Sequence, residues 1–136
     1  MANNHSLPSL SNLLNLDALA CSIMGVALIA ASGPISAWTG LPMPLLFWAG
    51  ILLLPIATFM AVAARLAPVP NWAANIVILG NCAWVIASLA LPLAGVISPN
   101  PLGWVLLGAQ AGLVTLLALA EFSANNSPLT LTQRTS

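Results

Sequence analysis

Charged side chains are almost absent from this chain of 136 residues, which has two arginines, two acidic residues, no lysine and one histidine. Only 3% of the residues are charged, whereas a soluble domain has about a quarter of its residues charged to cover its surface. Hydrophobic residues make up 60% of the chain. A chain of this composition needs lipid as its solvent, so the sequence predicts an integral membrane protein whose first partner is the lipid bilayer.

The same scarcity excludes several kinds of chemistry. The net charge is zero and there is no basic run, so nucleic acid is not an expected partner. The single histidine, His5, lies in a polar segment, so haem and zinc lack ligands and we expect no cofactor and no metal site. No nucleophile has a base nearby and no glycine-rich phosphate loop is present, so we expect no catalytic residues and no enzyme activity. Cys21 and Cys82 fall at different depths of two helices, which disfavours a disulfide between them.

Four long apolar runs dominate what is present, and each is long enough to cross a bilayer. The predicted spans cover residues 13–32, 45–66, 71–94 and 101–122, within a transmembrane domain of residues 13–122. Residues 1–12 form a polar N-terminal segment, and residues 123–136 are predicted to be a disordered polar tail. The sequence therefore predicts an all-α protein, a membrane-embedded antiparallel four-helix bundle with short loops and a short interfacial helix after span one.

The few charges and the tryptophans predict how the chain is threaded. Four spans place both termini and the Arg65 loop on one side, and the opposite loops carry no charge. Because basic residues mark the cytoplasmic side, we predict a multi-pass protein of the bacterial inner (plasma) membrane with both termini cytoplasmic. Four tryptophans lie at predicted span ends, as in an aromatic belt: Trp38, Trp48, Trp72 and Trp104.

Polar residues at depth point to contacts between spans. Asn81 and Gln110 both reach the middle of the bilayer at about 1.5 Å per residue, so adjacent helices could hydrogen-bond these two amides directly. Helical spacing extends them into a polar seam of Asn81, Ser88, Gln110 and Glu121. The seam could be a path for a substrate or ion, or it could join helices. We favour the second reading, because conduction usually requires an ionisable group at depth and the sequence predicts none there.

Charges at the inner helix ends suggest a second contact. Asp17, Arg65 and Glu121 are all predicted at this rim, where Arg65 could form an ion pair with either acid. An ion pair would stabilise Glu121, because a negative charge near a helix C-terminus interacts unfavourably with the helix dipole. The alternative is three independent charges that each extend to water.

Gly108 and Gly112 form a GxxxG spacing in span four, on the side of the helix opposite Gln110. They could offer a helix-packing strip to another membrane protein or to a second copy of the chain. Alternatively, they pack against span one.

Several of these features together resemble a family of small four-span bacterial integral membrane proteins of unassigned activity. The matching residues extend over about residues 15–122: Leu16-Asp17-Ala18, Gly40-Leu41-Pro42, Asn81, Trp84, Ser88, Leu102-Gly103, Gln110-Ala111 and Ala120-Glu121. Members commonly end in a basic stretch, which Phe122-Ser123-Ala124-Asn125 replaces here. The resemblance implies membrane residence and four spans, and it brings no catalytic residues.

Two functions follow as hypotheses. The first is a small non-catalytic inner-membrane protein, acting as an accessory or assembly subunit of a larger complex or as a homo-oligomeric bundle. The alternative is a small transporter subunit, similar in size and span number to the small multidrug-resistance exporters. Those carry a membrane-embedded acid in the first span, for which Asp17 is the candidate here.

Overall fold

The computed structural model describes residues 9–136, and within them the chain is helical throughout, with no strand. The predicted polar segment 1–12 lies outside the described residues over positions 1–8. The helices are α1 (Leu10–Ala30), α2 (Ser32–Thr39), α3 (Met43–Ala64), α4 (Asn71–Leu93), α5 (Pro101–Asn125) and α6 (Pro128–Thr135).

Four of these helices, α1, α3, α4 and α5, are long and apolar enough to cross a membrane. Local signals explain where they begin. The Ser9 side chain caps α1 by accepting a hydrogen bond from the backbone N–H of Asn12. The Asn100 side chain caps α5 by accepting one from the backbone N–H of Gly103. Gly40 ends α2 with a φ of 72°, a left-handed conformation that favours glycine. The four apolar helices predicted from the sequence are therefore confirmed.

The C-terminal segment differs from its prediction. Residues 123–136 complete α5 and form α6, whereas the sequence predicts a disordered tail. Ser127 caps α6 by accepting from the Thr130 amide, and Arg134 in its last turn donates to the Val69 carbonyl at 2.9 Å. A capped helix tied to the α3–α4 loop explains why this polar segment is ordered.

Helices α1 and α3 form the closest helix pair, and two glycines set their distance. A Cβ atom added at Gly50 would lie 2.7 Å from the Gly25 carbonyl oxygen. Only glycine at this position lets the two backbones approach so closely. Helices α4 and α5 form a second extensive pair, while α3 and α4 contact each other far less.

Hydrogen bonds between residues near the ends of the helices define two ends of the molecule. The Ser11 hydroxyl, near the start of α1, donates to the Ala64 carbonyl at the end of α3, and the Asn125 amide of α5 donates to Asn71 of α4. We call this the Arg65 end. At the opposite end the Asn100 amide donates to the Trp38 carbonyl at 2.8 Å and so joins α2 to the α4–α5 loop.

Two groups of buried apolar side chains pack together, one near each of these ends. The first includes Leu14, Met60 and Ala74 near the Arg65 end, and the second includes Leu28 and Leu46 toward the opposite end. Between the α1–α3 pair and the α4–α5 pair the side chains leave open space. The functional residues described next lie around this space.

Candidate functional site

Asp17, Asn81 and Glu121 form a polar cluster between three long helices, α1, α4 and α5. The side-chain nitrogen of Asn81 donates to Asp17 Oδ2 at 2.7 Å and to Glu121 Oε2 at 3.0 Å. The three side chains are almost inaccessible, with exposed fractions of 1% for Asp17, 7% for Asn81 and 0% for Glu121. This is the carboxyl–amide cluster.

Helical spacing places each of these residues on a buried face. In α1, Asp17 follows Leu10, Leu13 and Leu14 at intervals of three and four residues, and all four are buried. In α5, Glu121 follows Leu117 and Ala118 in the same way. Residues with these intervals share one side of a helix, so the apolar residues that bury the face carry the acids inward with them.

The carboxyl–amide cluster lies within the helices and not at their rim, which corrects the sequence prediction for Asp17 and Glu121. Helix α1 begins at Leu10, three residues before the predicted start, and α5 continues to Asn125, three residues past its predicted end. At 1.5 Å per residue, Asp17 is then about 10 Å from the start of α1 and Glu121 about 6 Å from the end of α5.

The rim ion pair predicted between Arg65 and either acid is not formed by these residues. Arg65 caps the end of α3 with an exposed side chain, while both acids are buried and bonded to Asn81. The other arginine, Arg134, donates to Val69, Asn71 and Asn125. Both guanidinium groups remain at the Arg65 end, because moving a charged group inward would cost its hydration.

Two features show that the carboxyl–amide cluster is short of hydrogen-bond donors. The Asn81 amide donates hydrogen bonds to both acids. Glu121 Oε1 is buried without a partner among the described residues. Two ionised carboxyl groups this close together, with no cation between them, would repel each other strongly in hydrocarbon. The cluster therefore requires at least one additional positive charge, either a proton or a bound cation.

A second polar group replaces the direct bond predicted between Asn81 and Gln110. Gln110 Oε1 accepts from the Trp84 indole nitrogen at 2.8 Å, and Ser88 donates to the Trp84 carbonyl of its own helix. The prediction of an Asn81–Gln110 bond is wrong because Asn81 bonds to the two acids, which lie deeper within α1 and α5 than the sequence predicted. The predicted seam residues thus fall into two groups: Asn81 with Glu121, and Ser88 with Gln110.

An apolar cavity of about 410 Å³ lies between the helix pairs and connects these groups. All four long helices contribute to its wall, and most of the lining is hydrophobic. Its polar lining residues include Asp17, Cys21 and Asn81, which are joined by hydrogen bonds, and Gln110, which is bonded to Trp84. A second apolar cavity of about 350 Å³ shares Trp84 and Gln110 with the first and continues toward Ser88. Both volumes are within the range of small-molecule sites.

The two cysteines have different surroundings. Cys21 lies one helical turn after Asp17 and donates a weak hydrogen bond from its sulfur to Asp17 Oδ1 at 3.6 Å. Cys82 is exposed on α4, and both are free thiols. Cys21 therefore completes the surroundings of Asp17, which sequence reasoning missed because it considered the two thiols only as partners in a disulfide.

Gly108 and Gly112 face away from the rest of the chain. A Cβ atom added at either position would meet no atom within 4 Å, and the same holds for Gly80 on α4. Packing of this strip against α1, one of the two predicted alternatives, is not observed. The close approach of helices in this chain occurs instead at Gly25 and Gly50.

The carboxyl–amide cluster can hold a proton or a cation next to the apolar cavity. Among residues 9–136 no group of three or more histidine, cysteine, aspartate or glutamate side chains is arranged for a metal ion. Asp17 lines the cavity, so it is the acid that lies beside a proton or an organic ligand there. No protein-family model, curated protein or solved structure matches this chain.

Proposed function

We propose that this protein is a small transporter subunit of the bacterial inner membrane, in which movement of a small amphipathic compound is coupled to a proton. The observation that supports this function is the carboxyl–amide cluster, which borders the apolar cavity through Asp17 and Asn81. Coupled transport needs an ionisable group at depth and a space for the compound beside it. Both are present here at the same position.

Magnitudes favour a functional role for the acids over a purely structural one. Placing one aspartate at the centre of a spanning helix costs about 2.5–3.5 kcal/mol on insertion scales. A hydrogen bond between membrane helices returns about 0.6 kcal/mol on average. Asp17 and Glu121 lie nearer the helix ends, where this cost is smaller, but the two bonds from Asn81 return only about 1.2 kcal/mol together, so helix association alone gives little reason to keep both acids.

The proposed arrangement in the bilayer is an antiparallel four-helix bundle with α2 lying in the interface. Hydrogen bonds that join the start of α1 to the end of α3, and the end of α5 to the start of α4, support the antiparallel order. Trp38 of α2, with 65% of its surface exposed, suits the headgroup region. The Arg65 end is then cytoplasmic, together with both termini.

Thiol labelling tests this threading. In a variant without Cys21 and Cys82, a single cysteine replaces either Ser127 or Ser98, and intact cells are treated with a membrane-impermeant maleimide. We expect labelling of Ser98→Cys from outside and of Ser127→Cys only after the cells are opened. The reverse pattern would contradict the proposed orientation.

Transport is tested in proteoliposomes with an acidic interior and an internal pH dye. Ethidium and naphthalenesulfonate serve as probes of opposite charge, because permanently charged compounds do not accumulate passively as weak bases or acids do. We expect one of them to dissipate the pH gradient at least tenfold faster with the wild-type protein than with Asp17→Asn or Glu121→Gln. Thr58→Val is the matched control, since its hydroxyl bonds only within its own helix. Dissipation at the rate of protein-free vesicles for both probes would exclude the proposed function.

The outward glycines favour a second candidate, an accessory or assembly subunit or a homo-oligomeric bundle. Gly108 and Gly112 leave a shallow strip on α5 that no part of the described chain covers. Gly108→Cys in the cysteine-free background should form a crosslinked dimer in the membrane if copies meet here. Leu113→Cys, which is exposed on a different face of α5, is the control, and equal crosslinking of both positions would remove the support for this strip.

A further inference from the structure

We infer that the apolar cavity binds a monovalent organic cation, whose charge lies against ionised Asp17 while Glu121 remains the protonated acid. The inference rests on the proposed function, which assigns the cavity to the transported compound. It adds the charge of that compound and a separate role for each acid.

The two acids differ in access to the cavity. Asp17 is part of the cavity lining, together with Cys21 and Asn81. Glu121 is not part of the lining, and its side chain is completely buried. Only 1% of the Asp17 surface is exposed, but its place in the lining puts Asp17 next to a ligand in the cavity, whereas Glu121 is not next to one.

The hydrogen bonds also differ between the two acids. Both Asp17 oxygens accept: Oδ2 accepts from Asn81 at 2.7 Å and Oδ1 from the Cys21 thiol at 3.6 Å. Glu121 has one accepting oxygen, Oε2, while Oε1 is buried without a donor. A buried carboxylate is costly when one of its oxygens has no donor, and protonation removes that cost by neutralising the charge. The donors thus suit ionised Asp17 and neutral Glu121.

One remaining negative charge selects the ligand. Within residues 9–136 neither arginine reaches Asp17, since Arg65 is exposed and Arg134 is bonded to Val69, Asn71 and Asn125. A single cationic centre would neutralise the site. Apart from Gln110, the remaining wall is hydrophobic, with Leu52, Ile56 and Leu113 among its residues and Phe59 and Trp84 as its aromatic side chains. An apolar body attached to the cation fits this wall, and a bare metal ion does not.

Binding of three probes with the same apolar body tests the inference. Phenylbutylamine is a cation at neutral pH, phenylbutanol is neutral and phenylbutyrate is an anion. Each is titrated calorimetrically into the protein in lipid nanodiscs, with empty nanodiscs as background. We expect wild-type protein to bind the amine at least tenfold more tightly than the alcohol and the anion most weakly.

The two acid variants separate the assigned roles. Asp17→Asn should remove the preference for the amine over the alcohol while leaving the alcohol bound, which shows that the cavity is intact. Glu121→Gln should keep the preference, because glutamine has the shape of the neutral acid and can donate a hydrogen bond. Equal binding of amine and alcohol by the wild type, or an amine preference that survives Asp17→Asn, would overturn the inference. Amine-selective binding without coupled flux would contradict the transport proposal and leave this inference standing. Coupled flux of the anionic probe would contradict this inference and leave the transport proposal standing.

Discussion

Asp17 and Glu121 accept hydrogen bonds from the same atom, the side-chain nitrogen of Asn81, at 2.7 and 3.0 Å. The two acids belong to α1 and α5, the first and last of the long helices, and Asn81 belongs to α4. One neutral donor therefore joins three helices, and it is the only hydrogen-bond donor to Glu121 among the described residues. Loss of Asn81 should have larger consequences than loss of any other amide in the protein.

Replacement of Asn81 by leucine should lower the free energy of unfolding. It leaves a buried acceptor on each of two acids, and an unsatisfied buried polar group costs about 1–3 kcal/mol. Denaturation of the protein in mixed micelles, followed by circular dichroism, measures the change. Ser88→Ala is the control, because the Ser88 hydroxyl bonds only to the Trp84 carbonyl of its own helix. Equal stability of the two variants would show that Asn81 does not support the acids.

Trp84 and Gln110 should be energetically coupled, whereas Asn81 and Gln110 should not. The indole of Trp84 donates to Gln110 Oε1 at 2.8 Å, and such bonds between membrane helices contribute about 0.6 kcal/mol, with values up to about 1.7. A double-mutant cycle with Trp84→Phe and Gln110→Leu should give a coupling energy in this range. The cycle with Asn81→Leu and Gln110→Leu should be additive. Coupling found only in the second cycle would reverse the assignment of partners.

The long helices could be predicted closely, because proline, glycine and asparagine mark their ends. The third predicted span, 71–94, matches α4 at Asn71–Leu93, and the fourth begins at Pro101 as α5 does. Helix α6 was missed, although Ser127-Pro128 is a typical helix start. The low hydrophobicity of the segment concealed this signal, since its order depends on the distant contact between Arg134 and Val69.

The candidate site could be predicted in part only. Sequence spacing gives the face of a helix that each polar residue occupies, but it does not give the neighbouring helix that this face meets. Asn81 was therefore matched with Gln110 by depth, whereas the structure brings it to Asp17 and Glu121. The burial of Asp17 could have been found, because it continues the apolar face of Leu10, Leu13 and Leu14.

Addition of a single methyl group at Gly50 should destabilise the α1–α3 pair. A Cβ atom there would lie 2.7 Å from the Gly25 oxygen and 2.9 Å from Ile29 Cγ1, so the backbones would have to separate. Overpacking of this kind costs about 1–3 kcal/mol, which unfolding in mixed micelles would measure for Gly50→Ala. The Cβ atom added by Gly108→Ala would meet no atom within 4 Å. This substitution should therefore be neutral or should stabilise the protein by up to about 1 kcal/mol through helix propensity. Similar losses in both variants would mean that glycine matters at these positions for helix flexibility and not for close approach.

Removal of the Arg134 guanidinium should release α6 while leaving the four long helices folded. Its nitrogens donate to the Val69 carbonyl at 2.9 and 3.1 Å and to Asn125 Oδ1 at 2.5 Å, so this one side chain ties α6 to the α3–α4 loop and to α5. An isolated helix of eight residues is unstable in water, so α6 should not persist without these bonds. Hydrogen exchange of peptides covering residues 127–136 should become at least tenfold faster in Arg134→Gln, whereas Gln133→Ala, on an exposed neighbour, should exchange as the wild type does. Unchanged protection in Arg134→Gln would show that α6 is held by contacts other than those of its arginine.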